Sequence, residues 1–229
     1  DAQVLFNPDL TIFDPDPAPA ADNVPNKEKD PDPREVARQI TLLSYKAFSA
    51  IHSREFMVAI IKKGVTIQTP TLAEFFEFSD KIERVVLESI AKAPKAEEAV
   101  KKIFKIAEAL DNMANYDGLC RVVNALMVPE IQKIAKRANL DDKIQRLYRK
   151  TGSTEDTLEW YRQNLESRFD SCLPTIPNTL SELIYAPTFT GPDFYDGNMI
   201  NWEKRRKIGK TMIMFYKFQN CPYCYWPVP

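Results

Sequence analysis

The sequence predicts an all-α protein: a single compact helical domain with a helical hairpin that protrudes near the C-terminus. Apolar residues recur every three or four positions through most of the chain, which is the period of an amphipathic helix. No stretch alternates apolar and polar residues as a strand would, and there are only six glycines. At 229 residues, one such domain can bury a sizeable core.

The first 32 residues differ from the remainder because they are rich in proline and aspartate, with repeated Asp-Pro steps. Such a segment buries too little apolar surface to fold alone, so we expect residues 1–32 to be extended or partly disordered. Its two apolar clusters, Val4–Phe6 and Leu10–Phe13, could still pack on the domain as an extended strap. The helical domain is then expected to cover residues 33–229.

A clear helix start follows this extension, with Asp32 placed to cap the first helix and Pro33 at its first position. Further helices are predicted from apolar periodicity, with proline, glycine and asparagine marking the breaks between them. Their expected ranges are about Arg54–Lys62, Pro70–Ala93, Glu97–Met113, Leu119–Met127, Pro129–Ala138, Leu140–Arg149 and Glu155–Ser167.

The last two predicted helices form the hairpin, which is expected over about residues 178–219. They cover about Thr179–Tyr185 and about Asn198–Gln219, and the second carries one apolar face and one face rich in lysine and arginine. Pro187, Gly191 and Pro192 prevent a single continuous helix across the connection. A hairpin of this kind could stand out from the domain and meet a partner.

Several functional classes have little support in the composition. The net charge of −1 gives no overall attraction to nucleic acid or to an anionic membrane. The single histidine, His52, lies at a predicted helix boundary, where a capping or surface role is expected rather than catalysis. No glycine-rich phosphate-binding motif occurs, so the chain itself is not expected to bind a nucleotide.

The four cysteines predict neither a disulfide scaffold nor a metal site, and they favour a reducing compartment. Cys120 lies in an apolar helical stretch and is expected to be a small buried hydrophobe. The run Cys221–Cys224 is the redox motif of glutaredoxins, but only five residues follow it, too few for the rest of that fold. Zinc would need two further ligands, so we interpret the run as a turn near the end of the chain.

Membrane insertion is not predicted, because no apolar run approaches the roughly 20 residues of a membrane span and no secretory signal is recognisable. Since the chain starts with Asp1 rather than methionine, we expect a fragment or processed form of a longer protein.

Several motifs occur in the order and spacing of one protein family. The C-terminal part contains Gly191-Pro192-Asp193, Met199–Arg206 and Tyr216–Tyr223. Upstream are Ala37–Leu43, Pro70–Leu72, Phe104–Ala107, Asn115–Leu119, Asn124–Leu126, and Tyr161-Arg162 before Cys172-Leu173-Pro174. Over about Asp32–Tyr223, the chain resembles the catalytic domain of Ras-type guanine-nucleotide exchange factors, the RasGEF family.

The resemblance implies a cytoplasmic domain without bond-making chemistry of its own, whose partner is a nucleotide-free or GDP-bound Ras-family small GTPase. The hairpin would stimulate GDP release by entering the nucleotide site. Magnesium and nucleotide would belong to the GTPase, so no cofactor or metal is expected on this chain. Any recruitment to a membrane would depend on parts of a longer parent protein.

The resemblance also implies roles for particular residues. Ile184 would intrude on the magnesium site of the GTPase, and Thr188 would stand near the position where the family usually has an acid. The residues expected to contact the GTPase are Phe76, Glu77, Cys120, Met127, Leu158, Thr175, Asn178 and Ser181. Those expected to support the hairpin are Asn201, Trp202 and Arg205.

Structural roles and a second function stay open as alternatives. Ile184 could pack the base of the hairpin, while Phe76, Leu158 and Thr175 could be routine packing residues. Thr175 replaces a frequent aromatic of the family, and Met127 replaces an asparagine. Because such departures lie on the presumed GTPase face, the alternative function is an exchange-inactive scaffold of the same fold that binds a GTPase or another protein. An unrelated all-α adaptor, which would lack the hairpin, is a third hypothesis.

Overall fold

Helices form almost all of the chain that the computed structural model describes, which is residues 31–152, 155–185, 192, 194–195 and 199–225. The strap prediction for Val4–Phe6 and Leu10–Phe13 lies outside these residues. The helices are α1 (Pro33–Ser49), α2 (Ser53–Lys62), α3 (Pro70–Lys92), α4 (Ala96–Asn112), α5 (Tyr116–Leu126), α6 (Pro129–Arg137), α7 (Asp141–Lys150), α8 (Glu155–Ser167), α9 (Ile176–Tyr185) and α10 (Trp202–Gln219). The predicted all-α fold is confirmed.

Several helices begin where a side chain can satisfy the free backbone N–H groups of the first turn. Asp32 caps α1, where its Oδ1 accepts a hydrogen bond from the Arg34 N–H at 3.2 Å. His52 caps α2, and its Nδ1 accepts from the Arg54 N–H at 3.3 Å. The capping role predicted for His52 is therefore confirmed.

The central element of the core is α5, in which nine of the eleven residues are buried. It packs against α1, α3, α4, α6 and α7, so it meets apolar side chains on every side. A helix that is apolar around its whole circumference is stable only when it is enclosed in this way. The sequence Leu-Cys-Arg-Val-Val-Asn-Ala-Leu, residues 119–126, satisfies that condition almost throughout.

The hairpin differs in detail from its prediction. The first helix, α9, starts at Ile176, three residues before the predicted start. The second, α10, starts at Trp202 rather than at Asn198, because Met199–Ile200 (β2) pair antiparallel with Phe194–Tyr195 (β1). The expectation that no strand occurs is wrong at this two-residue pair. A short ladder satisfies backbone groups at the point where the chain turns back.

The two ends of α10 differ in exposure, because the last turns are packed into the domain and the start is open to solvent. Its buried residues are Phe215 and Phe218, both near the C-terminus, whereas Trp202 at its start is 71% exposed. The Phe215 ring lies 4.5 Å from that of Phe56 and 6.4 Å from that of Phe48, measured between centroids. The helix is therefore anchored through its last turns, and its start is more exposed to solvent.

Gly152 offers a test of this packing, because its φ of +67° is left-handed and a Cβ there would lie 2.8 Å from Cγ of Tyr161. We expect Gly152→Ala to destabilise the fold by about 1–3 kcal/mol in urea titrations, through backbone strain and displacement of that ring.

The matched control is Gly209→Ala in α10, where a Cβ would meet no atom within 4 Å. A gain of about 0.5–1 kcal/mol is expected there, since alanine is the better helix former. Equal effects of the two substitutions would contradict the assigned strain at Gly152.

Candidate functional site

The segment Cys172–Thr175 leads into α9 and is fixed to the start of α5 by backbone hydrogen bonds. The Leu173 N–H donates to the Ala114 carbonyl at 3.0 Å, and the Leu173 carbonyl accepts from the Tyr116 N–H at 2.9 Å. The Asp117 N–H donates to the same carbonyl at 3.3 Å. Two of these donors belong to the first turn of α5, which has no intrahelical partner for them. The contact therefore determines where α9, the first helix of the hairpin, begins.

A buried polar cluster continues from this segment to α8. Tyr161 on α8 accepts a hydrogen bond at its Oη from the Thr175 N–H at 2.7 Å. The Thr175 hydroxyl lies 2.9 Å from the same Oη and 3.3 Å from the Thr151 carbonyl. Asn178 on α9 also donates to the Thr151 carbonyl, at 3.3 Å. Burial raises the pKa of Tyr161 well above its usual value, so its hydroxyl stays protonated.

A second polar contact ties α3 to α5 through a fully buried carboxyl group. Ser79 on α3 donates its hydroxyl proton to Oδ2 of Asp117 at 2.6 Å, and Oδ1 of Asp117 has no hydrogen-bond partner. Burial raises the pKa of Asp117 to about 6, although the Ser79 hydrogen bond and the Arg121 charge oppose that shift. Arg121 itself pairs with Asp80 at 2.6 Å, so the two helices are held by both polar and ionic contacts.

Of the two residues predicted to act at the nucleotide site, Ile184 and Thr188, the structure describes only Ile184. Ile184 is 8% exposed and belongs to the main apolar core, on a helix that packs against α2. Its position matches the alternative in which it packs the base of the hairpin. Thr188 lies outside the described residues, and so does the side chain of Ser181.

The predicted GTPase-contacting residues lie on several helices and differ in exposure. On α3, Glu77 is exposed and Phe76 is half-buried against the core. Cys120 on α5 is buried, as expected for a small hydrophobe. Met127, at the end of α5, is half-buried, with its sulfur 3.3 Å from Nε2 of Gln132. Glu77 is therefore the most exposed of these four residues.

Two further predicted GTPase-contacting residues, Thr175 and Asn178, belong to the buried polar cluster. Thr175 is 1% exposed and holds hydrogen bonds to Tyr161, while Asn178 meets it at the Thr151 carbonyl. Leu158, on α8, is half-buried against the core. The structure thus brings Thr175 and Asn178 together, and the side chain of Thr175 is turned inward.

The predicted supports of the hairpin have unequal roles. Asn201 is buried and spans the turn, because its Nδ2 donates to the Pro192 carbonyl at 3.0 Å while its Oδ1 accepts from the Lys204 N–H at 3.1 Å. The Arg205 guanidinium lies over the Phe194 ring, 6.0 Å from its centroid. Trp202 is largely exposed, so its surroundings favour a surface role over bracing the hairpin against the core.

Sequence reasoning missed three residues that hold this region together: Asp117, Thr151 and Tyr161. Tyr161 and Asp117 appeared only inside recognised motifs, without a role of their own. Thr151 precedes a glycine, which indicates a turn, but nothing in the sequence pairs its carbonyl with Thr175 and Asn178. These contacts join residues that lie up to 38 positions apart in the chain.

Comparison with known proteins identifies the class to which this arrangement belongs. The RasGEF domain matches residues 35–206, from the first turn of α1 into α10. The chain therefore belongs to the RasGEF domain family, and the resemblance deduced from the sequence is confirmed.

Individual relatives are similar over most of this chain. Ras guanine nucleotide exchange factor Q of Dictyostelium discoideum is 27% identical over 83% of the chain and 15% of its own length. Protein son of sevenless of Drosophila melanogaster is 23% identical, over 84% and 12%. The Rap guanine nucleotide exchange factor of Caenorhabditis elegans is 25% identical, over 82% and 13%. The chain thus spans less than a fifth of each of these relatives.

The buried carboxyl group of Asp117 predicts a pH-dependent stability. Because its pKa is raised in the folded state, this group favours folding most at pH values below its unfolded pKa of about 4. That contribution is lost as the pH rises through about 6. Between pH 4 and pH 7 we expect the stability of Asp117→Asn, relative to that of the unsubstituted chain, to improve by about 2 kcal/mol.

The measurement is urea unfolding of both proteins at several pH values across that range. Glu108→Gln, on the exposed surface of α4 and away from the helix ends, is the control for loss of one surface carboxyl group and should not reproduce the pH-dependent change expected for Asp117→Asn. Parallel profiles for the Asp117→Asn variant and the unsubstituted chain would overturn the assignment.

Proposed function

We propose that this domain is a guanine-nucleotide exchange factor that stimulates GDP release from a Ras-family small GTPase. The observation that carries the proposal is the family match over residues 35–206, which includes the helical body and the start of α10. The names of its relatives support it further, since they are exchange factors for Ras or Rap. No bond-making step is required of this chain.

The proposed mechanism is thermodynamic coupling between two binding events. Contacts that stabilise the nucleotide-free GTPase weaken its affinity for GDP and GTP alike, because binding free energies are reciprocal. The relative concentrations of the two nucleotides then set the direction of exchange. The exposed start of α10 is the part of the hairpin that we assign to the nucleotide site, and the buried last turns of α10 hold the helix on the domain.

The proposed wedge role of Ile184 has a structural condition. Its side chain is packed in the core, so contact with a magnesium site requires α9 to shift when the GTPase binds. Thr188 and its neighbours, which lie outside the described residues, are the other candidates for that contact. Glu77 on the exposed surface of α3 is proposed to meet the switch regions of the GTPase.

The deciding experiment is the release of a fluorescent GDP analogue from a panel of Ras-family GTPases, with and without this domain. We expect acceleration, proportional to the domain concentration, for at least one GTPase. Ile184→Ala and Thr188→Ala, alone and combined, should reduce that acceleration. The absence of acceleration across the whole panel would contradict exchange activity.

Ile131→Ala is the matched control for the Ile184 variant. Ile131 is buried to a similar degree, 7% exposed, on α6, which packs against α4, α5 and α7. Truncating either isoleucine should cost about 2–5 kcal/mol of stability. If exchange depends on Ile184 through the wedge, the Ile131 variant keeps its activity below its unfolding temperature and the Ile184 variant does not.

A binding scaffold without exchange activity is the second candidate, and the burial of Ile184 and Thr175 favours it. The two functions differ in the behaviour of the complex on gel filtration. An exchange factor forms a complex with nucleotide-free GTPase that dissociates when GDP or GTP is added. A complex that persists with nucleotide, together with unaccelerated release, would establish the scaffold and remove the exchange proposal.

A further inference from the structure

An apolar groove lies between α1, α3 and α4, and it encloses about 820 Å³. Ile40 and Leu43 of α1 line one wall, Phe78 and Val85 of α3 line another, and Ile103 of α4 contributes to the third. Leu43 is 54% exposed and Val85 is 53% exposed, so large apolar side chains are open to solvent on both sides. Exposing this much apolar surface is unfavourable in water, which indicates that something covers the groove.

The rim of the groove carries an excess of positive charge. Lys81 of α3, Lys95 before α4 and Lys102 of α4 line it, and Glu98 is the acidic residue beside them. Lys95 pairs with Glu98 at 2.9 Å. Three lysines and one glutamate attract an occupant that combines apolar side chains with acidic ones.

The position of Pro31 connects this groove with the N-terminal segment of the same chain. Pro31 lines the groove immediately before Asp32 caps α1, so the described part of the chain begins at the groove itself. Residues 14–30 could reach roughly 55 Å if fully extended, more than enough to let an earlier segment fold back. Tethering also keeps the effective concentration of that segment high, which favours it over a separate molecule.

We propose that Leu10–Phe13 docks in the groove between α1, α3 and α4 as an extended segment. Its side chains include three large apolar ones, and Asp9 and Asp14 flank them directly, with Asp16 close behind. This pattern complements an apolar floor with a basic rim. The other apolar cluster, Val4–Phe6, has Gln3 and Asn7 as its neighbours and therefore lacks the acids that the rim attracts.

The dimensions are consistent with this occupant. From Phe78 to Ser89, the part of α3 that lines the groove is roughly 16 Å long at the helical rise. Four extended residues span roughly 13 Å. The docked segment would cover Leu43 and Val85 and bring Asp14 toward the lysines. This interaction uses neither the hairpin nor the proposed GTPase-contacting residues.

The test measures the reactivity of a cysteine placed in the groove of the full chain. Val85→Cys and, separately, Leu43→Cys are treated with a water-soluble maleimide, and each site is followed by peptide mass mapping, which separates it from Cys221 and Cys224. Adding Ile12→Asp and Phe13→Asp should speed labelling at both groove sites about tenfold, as expected if the segment is docked for roughly nine tenths of the time.

Two controls isolate the occupant and the site. Val4→Asp with Phe6→Asp should leave labelling in the groove unchanged, because that cluster is not the proposed occupant. Ile61→Cys on α2, where the native side chain is 69% exposed outside the groove, should label at one rate in all backgrounds. Lys81→Glu with Lys102→Glu should speed groove labelling, because those charges hold the acidic flank.

Three results would overturn the proposal. The first is equal labelling with and without the Ile12→Asp and Phe13→Asp pair. The second is an effect of the Val4→Asp and Phe6→Asp pair that is as large, which would assign the groove to the other cluster. The third is protection that disappears on dilution, which would identify the occupant as a second copy of the chain.

Discussion

Three backbone hydrogen bonds between the start of α5 and Leu173 are the constraint on which the candidate site depends. They join the most enclosed helix of the core to the segment that leads into the hairpin. Because α5 is packed on all sides, its hydrogen bonds hold the segment in place, and α9 starts from a fixed point. Tyr161 and Thr175 then extend this contact to α8. The first helix of the hairpin is thus connected to the most enclosed helix of the domain.

Local signals in the sequence were sufficient to predict most of the helices. Asp32-Pro33 and His52 determine helix starts through contacts within two residues, so a reader of the sequence can recognise them. The buried positions of α3 and α4 recur with the helical period from which both helices were predicted, because a helix of that length has one face on the core. The family itself could also be recognised, since its motifs are retained in order.

The site was less predictable because its geometry depends on contacts between distant residues. The inward orientation of Thr175 comes from Tyr161, and no periodicity in the sequence encodes that pairing. The start of α10 was predicted too early, because Met199 and Ile200 fit the apolar stripe of a helix as well as they fit a strand. In the structure they pair with Phe194 and Tyr195 as a strand, so the helix begins after them. The burial of Ile184 likewise follows from the docking of α9 on α2, which only the assembled fold determines.

The joining of α10 to α1 has a consequence for how the chain reaches this structure. Gln219 donates to the carbonyls of Phe48 and Ile51, and Tyr45 donates to the Gln219 carbonyl. These hydrogen bonds join residues more than 160 positions apart in the chain. At a synthesis rate of roughly 5–20 residues per second, on the order of ten to thirty seconds would pass between the synthesis of α1 and that of α10. Over this interval Phe48 and Phe56 lack the ring of Phe215, so the nascent chain exposes aromatic surface that the finished fold covers.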